Sequence, residues 1–301
     1  MDRGLTKETI NKFGLGYADN SGSRLYSYLK DKDYDEKDMA SGGLIRIDER
    51  YGARDNFFER AMFPIMDANG RVIGFGGRTF GGGKPKYLNS PETDIFNKSR
   101  TLYGLYLAKR TKRDYLILCE GYMDVISVHQ AGFDNAVASL GTSLTEGHAA
   151  MIKRYSKSCY ISYDSDGAGR KAALRAIPIL RGQGIRTRVI DLSPYKDPDE
   201  LIKAEGADEY EKRIEGAQDA VMYEVHAASL DLKLDDPGDK TEFDRRAAGI
   251  VSDLKDEAER DNYIDAVSKK YNIRPESLRE LVRRAAASTL KRPYFEDKEP
   301  L

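Results

Sequence analysis

The sequence predicts an α/β protein: a parallel sheet flanked by helices, preceded by a mixed α/β part rich in basic residues and followed by a helical bundle. Three observations predict it. Short apolar runs alternate with helical stretches between Tyr115 and Leu192, a hairpin pattern precedes them, and no strand pattern follows Glu205. The expected divisions are 1–100 for the basic part, 101–206 for the parallel sheet and 207–301 for the helices.

Up to about Arg60 the chain mixes short helical patterns such as KETINKF with turns at Asn20–Ser23 and Ser41–Gly43. AMFPIMDANGRVIGFGGRTF then reads as two apolar strands joined by an Asn-Gly turn at Asp67–Gly70. The following GGGKPKYLNSP is rich in glycine and proline, so an exposed loop is expected, carrying Lys84 and Lys86 into solvent. From Tyr115 the runs YLILC, NAVASL, CYISY and TRVIDL are separated by MDVISVHQAG, TEGHAAMIKRYS and AGRKAALRAIPILRGQG. Strands alternating with helices imply parallel pairing through right-handed crossovers. DAVMYEVHAASL, KTEFDRRAAGIVSDLK, ERDNYIDAVSKKY and PESLRELVRRAAAS are amphipathic at helical period, and the tail KRPYFEDKEPL is expected to be loose.

Composition excludes some classes. With 301 residues and 40% hydrophobic content, two or three modest cores are affordable without disorder. Apolar runs are short and broken by charge, and MDRGLTKE lacks the core of a secretory signal, so a cytosolic protein is expected. Cys119 and Cys159 lie in apolar segments without a CxxC or Cys/His cluster, and His129, His148 and His226 have no second ligand at helical spacing, so all five are expected to pack or cap. Charge is uneven: Gly70–Arg113 holds ten basic and two acidic residues and is therefore +8, which leaves −9 elsewhere in a chain of net charge −1. A local basic region points to a polyanion docking there.

The chemistry gathers at strand ends. Glu120 follows YLILC, and Asp164 and Asp166 of SYDSDGAGR follow CYI. Ligands of parallel α/β sheets bind beyond the carboxyl ends of the strands. If these strands are neighbours, the carboxylates stand about 5–8 Å apart. Acids gathered so closely raise one another's pKa, and a hard divalent cation relieves the repulsion. From the letters alone, Asp166 is equally well read as a helix cap and Asp164 as a turn acceptor. EGYMD and DxDG are each weak signals; their relation, with one strand–helix unit between them, is stronger.

That arrangement resembles the Toprim domain. ERAMFPI, GRVIGFGGR, PKYLNSPETDIFNK, LYGLYLA, EGYMDVI, AVASLGTSLT and DPDELI, in this order, resemble the RNA-polymerase core of DnaG-type bacterial primases over about residues 1–290. The resemblance implies a Toprim-type sheet in which Glu120, Asp164 and Asp166 are the catalytic, metal-binding acids, with Glu120 also handling a proton. It extends metal binding to Asp197 and Asp199, although Asp197 ahead of Pro198, with Glu200 three residues on, also makes a helix start. Asp124, one turn beyond Glu120, either reaches the same site or favours the helix N-terminus. Mg²⁺ or Mn²⁺ is the implied cofactor, and Arg60, Arg78, Lys86, Asn89 and Lys98 the implied nucleotide and DNA contacts. The implied activity is synthesis of short RNA primers from ribonucleoside triphosphates on single-stranded DNA, by a monomeric core in the cytoplasm at the replication fork. The zinc-binding domain and the helicase-binding domain of the family are both expected to be missing, so contact with the replicative helicase is expected through a domain outside this chain.

DNFFER departs from the family pattern by offering only Arg60 ahead of MFPI, which weakens the expected triphosphate contact. Gly76, Gly77, Gly141 and Thr142 admit either close backbone approach or ordinary turn and cap roles. Three rival readings exist: a Toprim nuclease using the same acids, a topoisomerase, and a nucleic-acid-binding module whose acids are only caps. PKYLNSP and the basic part oppose the nuclease, the shortness of the chain opposes the topoisomerase, and indifference to Mg²⁺ or Mn²⁺ would mark the module.

Overall fold

The computed structural model describes residues 4–50, 52–80 and 83–289. They fall into two compact units, Met1–Ala217 and Gln218–Leu301. The tail KRPYFEDKEPL lies outside the described residues.

The first unit opens on α1 (Lys7–Phe13), where the Thr6 hydroxyl accepts from Thr9 N and Gly14 ends the helix at φ 63°. Strand β1 (Gly16–Ala18), helices α2 (Arg24–Lys30) and α3 (Glu36–Ser41), and the hairpin β2 (Ile45–Asp48) and β3 (Gly52–Asp55) follow. The hairpin expected around Asn69-Gly70 forms as β4 (Arg60–Met66) and β5 (Val72–Thr79). The Asp67 carboxylate closes its turn by accepting from Asn69 N and Arg71 N. The stretch expected as an exposed loop instead contributes β6 (Tyr87–Asn89), antiparallel to β5, giving the order β1-β4-β5-β6. The backbone groups of β5 need partners on that side, and PKYLN supplies them. Asn89 is therefore held on a sheet edge, with Lys86 next to it.

After the short α4 (Leu105–Ala108), the predicted alternation appears as β7 (Tyr115–Cys119), α5 (Tyr122–Gln130), β8 (Ala136–Ala138), α6 (Glu146–Tyr155), β9 (Ser158–Ser162), α7 (Gly167–Gly182) and β10 (Arg186–Val189). These four strands lie parallel in the order β10-β9-β7-β8. Strands β7 and β9 are neighbours with Cys119 opposite Ser162, so the residues that follow them meet at one edge. Helices α8 (Pro198–Glu205) and α9 (Ala207–Glu215) complete the unit.

One core joins the two expected subdomains. Phe13, Phe63, Ile65 and Phe96 share a buried cluster with Ile117, Tyr122, Val125, Tyr210 and Ile214. The expected break between 100 and 101 is thus no division of the core, and the unit ends after Ala217 rather than at 206. Helix α9 accounts for the shift: Tyr210 is fully buried and its hydroxyl donates to Ser162 Oγ at 2.9 Å. Burying a side chain such as Ile214 contributes on the order of 1.5–3 kcal/mol, enough to hold the helix to the sheet. Cys119 and Cys159 are buried free thiols, and burial pushes Cys159 up to about 12. His148 caps α6 in exchange with Thr145: Thr145 Oγ1 accepts from His148 N, and Thr145 N donates to His148 Nδ1.

The second unit contains a two-residue strand, Gln218–Asp219, which the sequence pattern had not suggested, and then α10 (Ala220–Ala227), α11 (Pro237–Ser252), α12 (Glu257–Tyr271) and α13 (Pro275–Thr289). Asp236 and Asp256 cap α11 and α12. Phe243, Ala247, Val251, Ile264, Val267 and Leu278 form its own buried cluster at helical spacing.

Candidate active site

The carboxylates stand where β7 and β9 end. Glu120 directly follows β7, and its Oε1 accepts from Asp164 N at 3.0 Å, tying the two strand ends together. Gly121 stands just ahead of α5, and Asp124 in the first turn of that helix accepts from Gly121 N at 3.0 Å. Helix α7 presses on this pair: a Cβ at Gly169 would meet Asp164 O at 2.0 Å and Glu120 Oε1 at 2.8 Å, so only glycine fits there.

Asp166 caps α7, its Oδ1 accepting from Ala168 N and Gly169 N. These backbone donors, Gly169 first, hold its carboxyl below the usual range. Asp197 caps α8 through Oδ1 to Glu200 N at 2.8 Å, while Glu200 accepts from Lys196 N at 2.7 Å. Asp199, nearly buried, accepts from Ser127 Oγ and Lys203 Nζ, both at 2.6 Å. The cap readings of Asp166 and Asp197 therefore hold in this structure, but each cap engages one oxygen, leaving Oδ2 uncommitted.

Burial and mutual repulsion raise the remaining acids. Burial pushes Asp124 up to about 7, helped by Asp164 and Asp197, and pushes Asp164 up to about 6, helped by Glu120 and Asp197. Glu120 is also raised, by burial first, against the hydrogen bond from Asp164 N. Lys196 Nζ lies 3.9 Å from Asp164 Oδ2 and offsets part of the repulsion. This lysine escaped the sequence reading, where its only signal is its place before Asp197.

One open cleft gathers Glu120, Asp124, Asp164, Asp197 and Asp199 with Lys86 and Asn89 of the basic sheet. Tyr122 closes its floor. Its hydroxyl donates to Asn89 Oδ1 at 2.7 Å, and its ring stacks between Phe63 and Tyr87 at 5.0 and 6.1 Å. The ring lies so close to β5 that a Cβ at Gly76 would meet it at 2.4 Å, which settles why Gly76 is glycine. Asn89 also donates to Leu140 O at 2.8 Å, so its amide is a strut between the basic sheet and the loop after β8.

Other expected contacts are placed differently. Arg60 is buried, and its Nη1 donates to Gly77 O and Pro85 O at 3.2 and 3.0 Å; burial lowers its pKa. It braces the basic segment from within. The Arg78 guanidinium lies 6.0 Å from the Tyr87 ring centroid, with a buried Nε that has no hydrogen-bond partner. Asp166, Arg60, Arg78 and Lys98 do not line the cleft. Lys98 opens a short 3₁₀ turn, Lys98–Arg100, and its carbonyl meets His148 Nε2 at 2.7 Å.

The donor set suits a hard cation: oxygen only, with an excess of negative charge and uncommitted oxygens on two caps. As placed, no group of three or more His, Cys, Asp or Glu side chains among the described residues stands close enough to hold a metal ion.

A parallel sheet with carboxylates crowded at its carboxyl edge, facing a basic antiparallel sheet across a cleft, defines a Toprim-type nucleic-acid enzyme. Family models match accordingly: the DNA primase catalytic core N-terminal domain at residues 1–109, the Toprim-like model at 117–202 and the DnaB-helicase binding domain of primase at 223–276. The chain belongs to the DnaG-type bacterial DNA primase family. A DNA primase domain from Pseudomonas aeruginosa is 37% identical, covers 93% of this chain and 90% of its own, and superposes with a TM-score of 0.81. A DnaG primase catalytic domain bound to ssDNA is 35% identical with a TM-score of 0.80, covering 91% of this chain and 88% of its own. The DNA primase of Clostridium acetobutylicum is 41% identical over 94% of this chain and 47% of its own length; the chain spans about half of the curated relatives it matches. The family depends on a divalent metal.

The match at 223–276 corrects one expectation. A helicase-binding domain was expected to be missing, yet the helical unit matches that model. Amphipathic helices carry no chemical motif, so nothing in their letters marked a binding role. Among the described residues no helix is long and apolar enough to cross a membrane.

Proposed function

We propose that the chain makes short RNA primers from ribonucleoside triphosphates on a single-stranded DNA template, acting at the replication fork in the cytoplasm as a monomeric core. The observation that supports this best is the single cleft in which Lys86, from the basic sheet, faces Glu120, Asp124 and Asp164 at the strand ends.

The reaction joins the 3′-hydroxyl of one nucleotide to the α-phosphorus of the next; the O–H proton leaves, a P–O bond forms, and the bond to pyrophosphate breaks. Glu120, Asp164 and the free oxygens of Asp166 and Asp197, with Asp124 and Asp199 behind them, would hold Mg²⁺ or Mn²⁺. A cation held there would supply a lower pKa for the hydroxyl and neutralise charge on the leaving group. Glu120, half-buried with a raised pKa, would take the proton on its carboxylate. Lys86 meets the triphosphate as a point charge, and Arg78 and Lys98 track the template. Arg60 and Asn89 serve binding by fixing the segment that carries Lys86, rather than by touching phosphate. Residues 223–276 would dock the replicative helicase.

The test is synthesis on single-stranded DNA with labelled ribonucleoside triphosphates and Mn²⁺ or Mg²⁺, beside Glu120→Gln and Asp164→Asn. Short RNA from the unmodified chain alone supports the reading. Nicking of DNA without triphosphates would select a Toprim nuclease instead.

A further inference from the structure

One face of the parallel sheet breaks the rule for such sheets. Parallel sheets are covered on both faces, and their strands run apolar. Leu116, Leu118, Cys159, Ile161 and Val189 obey on one face, all buried. On the other, Tyr115, Ser158, Tyr160 and Arg188 are half-exposed and Arg186 is exposed. The register sets Arg186 opposite Ser158 and Arg188 opposite Tyr160, with Tyr115 on the far side of Ser158. The Tyr115 and Tyr160 rings stack 4.3 Å apart. Toward the carboxyl edge this face is closed by Tyr210 of α9. Near the opposite edge these five residues and Asp114 line a pocket of about 100 Å³.

Its charges are unequal. Arg113 nearby is neutralised by a bidentate pair with Glu211. Arg188 donates to Ala217 O at 3.1 Å, a neutral acceptor that leaves its charge uncompensated. Arg186 has no ion pair among the described residues, and Asp114 is the one acid of the lining. Two guanidiniums two residues apart on β10, with Ser158 and Tyr160 opposite them on β9, match the oxygens of a tetrahedral anion. The size selects a group rather than a molecule: small-molecule sites run about 300–1,000 Å³.

We propose that this pocket binds a phosphate group, and that a nucleic-acid strand supplies it. Glu120 lies five residues from Tyr115, about 16 Å along the strand, so the pocket would anchor a strand away from the carboxylates.

The test titrates a fluorescein-labelled oligothymidylate with the full chain over a range of salt, and in parallel measures heats of inorganic phosphate binding, for the unmodified chain, Arg186→Gln and Asp114→Asn. Arg186 is exposed and unpaired, so its replacement leaves the melting temperature unchanged. For a strand phosphate, Arg186→Gln shallows the log K against log salt slope by about 0.7, and Asp114→Asn tightens binding several-fold. An unchanged slope with phosphate heat lost in Arg186→Gln keeps the pocket but makes free phosphate its ligand. Unchanged slope and unchanged heat together overturn the proposal. Neither readout involves triphosphates or RNA synthesis, so the result stands apart from the primase reading.

Discussion

At the residue scale, the cleft is a place where side chains are held by neighbours that leave no room for alternatives. Gly169 shows this best: a methyl there would strike Asp164 O and Glu120 Oε1. Gly169→Ala is expected to cost about 1–3 kcal/mol, read from urea unfolding, and to lower RNA synthesis because the acids must move. Glu120→Gln should abolish synthesis without lowering the melting temperature, since an amide still accepts from Asp164 N and removes a charge that burial and its acidic neighbours disfavour. His129 supplies a pH prediction. Burial pushes it down to about 4, with Nε2 at 3.0 Å from Ala136 O. Its folded pKa lies below the unfolded value near 6.5, so the unfolded chain takes the proton first. Its stabilising share is complete above about pH 6.5 and is lost as pH falls toward 4, by about 3 kcal/mol at most. Asp124 and Asp164, raised instead, act in the opposite sense as pH falls. Comparing urea midpoints of the unmodified chain and His129→Gln between pH 6.5 and 4 isolates the histidine; equal slopes would exclude it.

At the element scale, α8 is positioned by a contact that no local pattern encodes. Ser127 on α5 donates to Asp199 on α8, so the helix that presents Asp197 is pinned to the helix that begins beside Glu120. Ser127→Ala leaves a nearly buried carboxylate short of one donor and is expected to cost about 1–3 kcal/mol in thermal or urea unfolding. The basic sheet gives a second test. β6 holds Asn89 on the edge of β5, and Lys86 precedes it. Lys86→Ala with Lys98→Ala should shallow the salt dependence of single-strand binding; an unchanged slope would remove both lysines from the path of the strand. The hairpin, the strand–helix alternation and α1 were legible because an Asn-Gly turn, short apolar runs and a helical pattern are local signals. The pairing of β6 was not, because a Gly- and Pro-rich stretch has no strand signature until another strand offers it partners.

At the scale of the whole molecule, two compact units predict two separate cooperative foldings. Phe243, Val251, Ile264, Val267 and Leu278 are buried among themselves. A fragment of residues 218–301 is therefore expected to stay helical by circular dichroism and to melt cooperatively. If 223–276 docks the helicase, this fragment should retain that binding in sedimentation or calorimetry, and the catalytic unit alone should lack it. Binding confined to residues 1–217 would overturn that assignment.

The sequence by itself determined the fold class, the alternation of elements, the strand ends on which Glu120 and Asp164 stand, and the family. Each rests on periodicity, turn chemistry or motif order, which are written in neighbouring letters. Only the tertiary structure decided that Arg60 and Asn89 are braces, that Asp166 and Asp197 cap helices with one oxygen each, that Lys196 lies beside Asp164, and that α9 belongs to the sheet. Those facts depend on which side chains meet across tens of residues, where burial and hydrogen-bond partners, rather than spacing, set what a carboxylate or a guanidinium does.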